Sequence, residues 1–389
     1  MRREVLGSLA VFCILVAAGG SGCAEEVTGP TPSIPSPAAG MSLPVDPGLV
    51  CRHQLSSEIL VTGEGLAPVP VGLPKDPHAK LPDLELVRSA DVDGTPSDGS
   101  VLLWSGLPDG ANASKLAWLS QRQMRFTLDQ DLTLADGSRG LAPRGLYDLR
   151  VTNANGQSTT STASIALIDK PTLAAPSPGI VCLAQGPREV ALSGASLLRL
   201  DGADPNVAIE GAGDFALSDF LGCVEVPHAG LDADLCTGAT LVLATNAVEP
   251  GYPGLTIENP ETAACVSEEL VNLRVVPPPV LMAADPPVVC TAEGPREVTL
   301  RGEGLLQIDG ALPAVTMDGV ALEVLGVSGC EPLTAMGHEV SRCTELDVRL
   351  PQTVHTALVR PTLVVTNPSP AGCDATRADI LLLVPPPPF

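Results

Sequence analysis

Three stretches of this chain repeat one another in register, and such self-similarity constrains a fold more tightly than any local preference does. The run Pro47-Gly48-Leu49-Val50-Cys51 returns as Pro178-Gly179-Ile180-Val181-Cys182 and again as Pro286-Pro287-Val288-Val289-Cys290, at shifts of 131 and 108 residues. Each run leads into a segment of strand character, Glu58 to Gly63, Glu189 to Gly194 and Glu297 to Gly302, with a leucine three residues on at Leu66, Leu197 and Leu305. Further along, Met124, Phe126 and Leu128 align with Ala239, Leu241 and Leu243 and with Leu346, Val348 and Leu350. This alternation of apolar and polar residues is the period-2 pattern of a strand with one buried face. Tyr147, Leu149 and Val151 alternate likewise before the turn cluster Thr152-Asn153-Ala154-Asn155-Gly156, which the third copy matches with Thr366-Asn367-Pro368. Asn, Gly and Pro clusters of this kind bend the chain between neighbouring strands.

Short strands in units of about 100 residues indicate immunoglobulin-like β-sandwiches, so the expected fold is all-β with three in tandem. The run Glu297 to Leu305 and the later Val-Val-Thr-Asn-Pro resemble the immunoglobulin-like domains shared by plexins and certain transcription factors, the IPT/TIG family, and all three copies share the pattern. Leu305 stands where that family more often has phenylalanine. The resemblance implies a module of a bacterial surface protein or an accessory domain beside a carbohydrate enzyme. The expected divisions are a lipoprotein-type signal at 1–23, a Pro-rich tether at 24–47, domain 1 with an insertion at 48–170, domain 2 at 171–278 and domain 3 at 279–389.

Composition sharpens the functional class. With 44% apolar residues the chain is not disordered, and Gly 38 and Pro 39 without a three-residue period exclude collagen. The formal net charge is −23 and no lysine follows Lys170. Phosphate backbones are bound by neutralising cations, so no nucleic-acid partner is expected. The N-terminus runs Met1-Arg2-Arg3, an apolar stretch from Val5 to Gly20, then Gly20-Ser21-Gly22-Cys23. This reads as an export signal, and its end resembles a bacterial lipoprotein signal in which Cys23 is acylated; ordinary cleavage near Ala24 is the alternative. A tether of this proline content rises about 3.1 Å per residue.

Cysteines give the next constraint. Domain 2 carries Cys182, Cys223, Cys236 and Cys265; domain 3 carries Cys290, Cys330, Cys343 and Cys373, and in both sets the outer separation is 83 and the inner 13. In an exported protein each set of four implies two disulfides. Of the three possible connectivities, nesting of the short pair inside the long one is attractive, because the first cysteine precedes the first core strand while the last follows the Asn turn. Zinc is the rival reading, without a Cys-x-x-Cys pair to support it. Cys51 is left over, as a buried thiol or an intermolecular bridge.

Recognisable chemistry is sparse. Copy one spans 87 residues from Leu66 to Asn153 against 62 in the others, and its extra length includes Asp91, Asp93 and Asp98, candidate Ca²⁺ ligands in a loop that otherwise reads as a turn. The histidines His53, His78, His228, His338 and His355 lack metal-ligand spacing, and no nucleophile elbow, phosphate loop or zincin helix occurs. Trp104 and Trp118 are core residues or a sugar platform, with core favoured. The expected object is a non-enzymatic, lipid-anchored extracytoplasmic binding, adhesion or scaffold protein of the outer membrane. Its expected partners are the membrane through the lipid and an unidentified protein or glycan. Alternatives are a periplasmic envelope-assembly partner and a carbohydrate-binding accessory subunit.

Overall fold

The computed structural model describes residues 29–37, 44–71, 78–97, 99–228 and 230–386. The signal segment with Cys23, and Asp98, lie outside the described residues. The chain forms three immunoglobulin-like β-sandwiches. In domain 1 one sheet runs Val45–Asp46, Ser56–Thr62, Gln123–Asp129, Leu116–Ser120 in spatial order, and the other Leu49–Cys51, Ser158–Ile168, Gly145–Thr152, Asp83–Ala90, Val101–Trp104. The alternating residues of both sheets meet between them: Ile59 sits opposite Phe126, with Trp104, Tyr147 and Leu149 fully buried beside them. The Tyr147 hydroxyl donates to Pro143 O at 2.7 Å, a tyrosine corner that ties the entry of its strand.

The same central antiparallel strand pair recurs in the other two copies. Arg188–Leu200 pairs antiparallel with Ala233–Leu243, placing Val190 opposite Leu241; Arg296–Ile308 pairs with His338–Leu350, placing Val298 opposite Val348. In domain 2 the strand Gly213–Leu221 pairs first with Asn206–Ile209 and then with Ala233–Leu243, passing from one sheet to the other. Each copy has its own apolar core, and among the described residues that of domain 3 holds no ring, being built from residues such as Leu300, Leu305, Leu346 and Val365.

Two repeated details explain the sequence pattern. The second residue after the strand glycine has positive φ in every copy, 69° at Gly65, 58° at Ser196 and 68° at Gly304, and the strand register shifts there in domains 2 and 3. A buried asparagine from the turn cluster holds this bulge. Asn259 Oδ1 accepts from Leu198 N at 3.0 Å and its Nδ2 donates to Ser196 O at 3.0 Å; Asn367 does the same to Leu306 N at 2.9 Å and Gly304 O at 2.8 Å; Asn153 binds Ala67 N at 3.3 Å and Gly65 O at 2.7 Å. The strand glycine itself is needed for close approach. A Cβ on Gly194 would lie 1.9 Å from Thr172 O and one on Gly302 2.2 Å from Val280 O, the backbone of each domain's first strand.

That first strand corrects the expected tether. Ser33 exchanges two backbone hydrogen bonds with Glu64 at 2.9 and 2.8 Å, Val45 pairs with Val61, and Ile34 and Val45 are 4% and 0% exposed. The described parts of 24–47 therefore pack along the edge of domain 1, Val45–Asp46 as an edge strand and Ser33 through a single bridge. Proline is tolerated at an edge strand, and the apolar Ile34 and Val45 supply core contacts that the proline content masked. Among the described residues no helix is long and apolar enough to cross a membrane.

Candidate functional site: two disulfide-locked joints

The recurring Pro-x-apolar-Val-Cys run builds one end of each domain. Leu49–Cys51, Ile180–Val181 and Val288–Val289 lie parallel to the last strand of their own domain, at Ala166–Ile168, Arg274–Val275 and Leu382–Leu383. Because side chains alternate along a strand, Val50, Val181 and Val289 enter their own cores. The residues on either side turn outward. Leu49 joins a separate cluster with Leu198, Leu200, Val226, Ala233 and Ala263 of domain 2; Ile180 and Cys182 join another with Leu306, Ile308, Val340 and Ala371 of domain 3. The two clusters are the same joint made twice, since the domain 2 and domain 3 residues occupy equivalent repeat positions. Each fully buried leucine or isoleucine stabilises by about 1.5–3 kcal/mol, so the joints hold as small cores in their own right.

Both joints are then closed covalently. Cys51 of domain 1 bonds Cys265 of domain 2, with Cα atoms 5.8 Å apart, and Cys182 of domain 2 bonds Cys373 of domain 3 at 5.9 Å. This overturns the nested pairing of Cys182 with Cys265 and of Cys290 with Cys373, and also the reading of Cys51 as a leftover thiol. The reason is strand direction. Cys182 follows a strand parallel to the last one, so it sits at the exit end of domain 2; Cys265 sits in the loop that precedes the last strand, at the entry end. Among the described residues the cysteine that remains free is Cys290. The inner pairs close within their domains, Cys223 with Cys236 and Cys330 with Cys343. A signal for the ladder existed in the sequence: copy one has the early cysteine but not the late one, as a domain-to-next-domain pairing requires.

Polar contacts stitch the same joints. Gln54 Nε2 donates to Ala263 O at 2.5 Å, and the repeat-equivalent Gln185 accepts from Asp374 N at 2.9 Å and donates to Asp374 O at 2.7 Å. Lys170 pairs with Glu268 across the first joint. His228 of domain 2 is 4% exposed; its Nε2 lies 3.1 Å from Ser164 O of domain 1, while its Nδ1 accepts from Gly230 N at 3.3 Å. Those partners fit the neutral ring with its proton on Nε2, and burial lowers its pKa from the ordinary imidazole value. His53, two residues past Cys51, is also shifted down, first by burial and then by the Arg52 charge.

A groove of about 760 Å³ runs along the second joint between Arg274, Pro277, Pro278, Glu303, Glu331 and Arg342. Arg274 lies over the Tyr252 ring at 4.3 Å and donates from Nε to Thr334 O at 2.7 Å, so its guanidinium is already engaged across the joint. Among the described residues no aromatic side chain lines this groove.

The other expected site residues do not converge. Asp91 is held by Arg144 at 3.1 Å and Arg88 at 3.5 Å, and Asp93 Oδ1 caps its own turn by accepting from Thr95 N at 2.9 Å. Among the described residues no group of three or more His, Cys, Asp or Glu is placed to share a metal ion. Trp104 is fully buried against Phe126 with ring centroids 4.8 Å apart and donates to Thr127 O, while Trp118 packs partly buried on the same core and donates to Leu66 O.

No protein-family model and no curated protein matches the chain. Among solved structures, it is similar to Dpr2 Ig1-Ig2 in complex with DIP-Theta Ig1-Ig3 at 12% identity, covering 90% of this chain and 99% of that one with a TM-score of 0.23. It is also similar to Sidekick-1 immunoglobulin domains 1-4 at 13% identity, covering 83% of this chain and 72% of that one with a TM-score of 0.22. A marsupial T cell receptor matches at 12% identity over 85% of this chain and 96% of that one, TM-score 0.24. Superpositions this loose add nothing to the strand topology described above.

Proposed function

We propose that this chain is a non-enzymatic extracytoplasmic scaffold of IPT/TIG-like domains, attached to the outer membrane through a lipid on Cys23 and holding a protein partner at a set distance from it. The observation that carries the reading is the pair of joints. An apolar core plus a disulfide at each one removes the hinge freedom usual between tandem domains, which suits a spacer and is of no use to a flexible tether. Disulfides belong to an oxidising compartment, in agreement with export. The carbohydrate reading is not favoured, since both tryptophans are spent on packing and the groove has no ring to stack a sugar.

Protease shaving of intact cells, with blotting for the chain, tests the placement. Degradation without lysis supports presentation at the surface; protection until lysis moves the scaffold to the periplasm. Metabolic labelling with a radioactive fatty acid, compared between the natural chain and a Cys23→Ala variant, tests the anchor, and an unlabelled natural chain would remove it from the proposal.

A further inference from the structure

The exit end of domain 3 repeats, position for position, a surface that is filled twice elsewhere in the same chain. Val288, Cys290 and Val384 are the repeat equivalents of Leu49, Cys51 and Ile168 in domain 1 and of Ile180, Cys182 and Val276 in domain 2. Their backbone is built identically: Val384 N donates to Val289 O at 3.0 Å as Val276 N donates to Val181 O at 2.9 Å. Their surroundings differ. Leu49 and Ile180 are each 0% exposed, whereas Val288 is 50% exposed; Cys51 and Cys182 are bonded, whereas Cys290 is free. Beside them Val354 and Leu358 stand 69% and 66% exposed, in a loop fastened to this end by Thr353 N to Thr291 O at 3.3 Å and Val359 N to Leu383 O at 3.0 Å.

We propose that this face is a third, open joint, which receives an immunoglobulin-like domain of another polypeptide and closes on it through a disulfide from Cys290. The chemistry of the occupant follows from the two filled joints. Both receiving domains present two outward aliphatics after the Asn-held bulge, Leu198 and Leu200 or Leu306 and Ile308. Both carry a loop of the form Asn-Pro, four residues, Cys, ending at Cys265 or Cys373. The partner domain therefore has that loop with an unpaired cysteine. A second copy of this chain does not supply it: Cys265 and Cys373 are consumed, and the corresponding loop of domain 1 runs from Asn153 to Thr159 without a cysteine. One substitution further narrows the partner. Where the filled joints have Gln54 and Gln185, the open one has Glu293. A carboxylate still accepts the backbone N–H that Gln185 accepts from Asp374, but it repels an acid there, so the partner residue after its cysteine is neutral or basic.

Closing the bond removes two electrons and two protons from the two thiols. The acceptor is the disulfide of a thiol oxidoreductase of the envelope, which leaves as a dithiol, the same chemistry that makes the four existing bridges. The proposal deepens the scaffold reading by naming the kind of partner, and rests on that reading only for the oxidising compartment.

The test uses the full chain expressed in its own cells, with thiols trapped by N-ethylmaleimide before lysis and the chain recovered for non-reducing electrophoresis and peptide mapping. The expected result is a larger, reductant-sensitive species, absent from a Cys290→Ser variant, in which the Cys290 peptide is joined to an Asn-Pro-x₄-Cys peptide of a different protein. A Val288→Asp variant, with its four internal disulfides verified by mapping, is expected to lose at least tenfold of that species, because the apolar face must dock before the sulfurs meet. Recovery of Cys290 wholly as the maleimide adduct overturns the proposal, as does Cys290 bridged to its counterpart in a second copy, or to a protein lacking that loop. Failure of the shaving test leaves these outcomes readable, since either side of the outer membrane is oxidising.

Discussion

The buried asparagines do more for these domains than their place in a turn cluster suggests. Asn367, 2% exposed, satisfies a donor and an acceptor of the bulge, and an unsatisfied buried group costs about 1–3 kcal/mol. Asn367→Ala is expected to destabilise domain 3 by roughly 2–4 kcal/mol, read as a lowered urea midpoint. The bulge residue gives a prediction of opposite sign. Ser196 holds φ 58° where copies one and three have glycine, and a left-handed non-glycine residue costs about 1–2 kcal/mol. Its contact to Asn259 is made by the backbone carbonyl and survives substitution. Ser196→Gly is therefore expected to raise stability by about 0.5–1 kcal/mol, the strain relieved less the entropy that glycine loses on folding. The asparagine and glycine positions stood out in the sequence as a repeat; that one clamps the other did not, because the two are some sixty residues apart and meet only across the sandwich.

Among the elements, the joints are where pH should act. His228 is buried neutral between domains 1 and 2, with both ring nitrogens engaged and its pKa lowered by burial. Above the ordinary imidazole pKa, about 6.5, neither the folded nor the unfolded ring carries a proton and the contribution is level. As the pH falls below it, the unfolded ring takes a proton that the folded one refuses, so stability declines toward the lower folded value. His53 acts in the same direction. The expected outcome is a lower urea midpoint at pH 5.5 than at pH 7.5, with the difference reduced in His228→Gln; an unchanged difference would assign the dependence elsewhere. The strand assignments themselves were readable, since alternation survives in all three copies. The edge pairing at Ser33 and Val45 was not, because six prolines between Ala24 and Pro47 outweigh two apolar residues in any compositional reading.

For the whole molecule, the joints predict how domain order is kept. Gly179 lies where a Cβ would come 1.9 Å from Met336 O of domain 3. Gly179→Ala is expected to open the second joint while its disulfide stays closed, seen as faster hydrogen exchange at Asp374, whose amide donates to Gln185 across the joint at 2.9 Å, with the three cores unaffected. Equal protection in the variant would mean that the disulfide alone maintains the joint. Direct mapping of disulfide-linked peptides completes the picture: the ladder requires Cys51 with Cys265 and Cys182 with Cys373, and no peptide joining Cys182 to Cys265.

The repeat, the all-β class and the alternating cores were determined by the sequence, because each is a local periodicity copied three times and needs no knowledge of what lies next to it. Which cysteine meets which was decided only by the tertiary structure. A disulfide requires Cα atoms about 4.4–6.8 Å apart, and in a sandwich the cysteine that ends the Pro-x-apolar-Val-Cys run and the late-loop cysteine stand at opposite ends. Stacking the domains end to end brings the exit cysteine of one to the entry cysteine of the next. The same stacking leaves Cys290, equivalent in repeat position to two bonded cysteines, as the free thiol among the described residues.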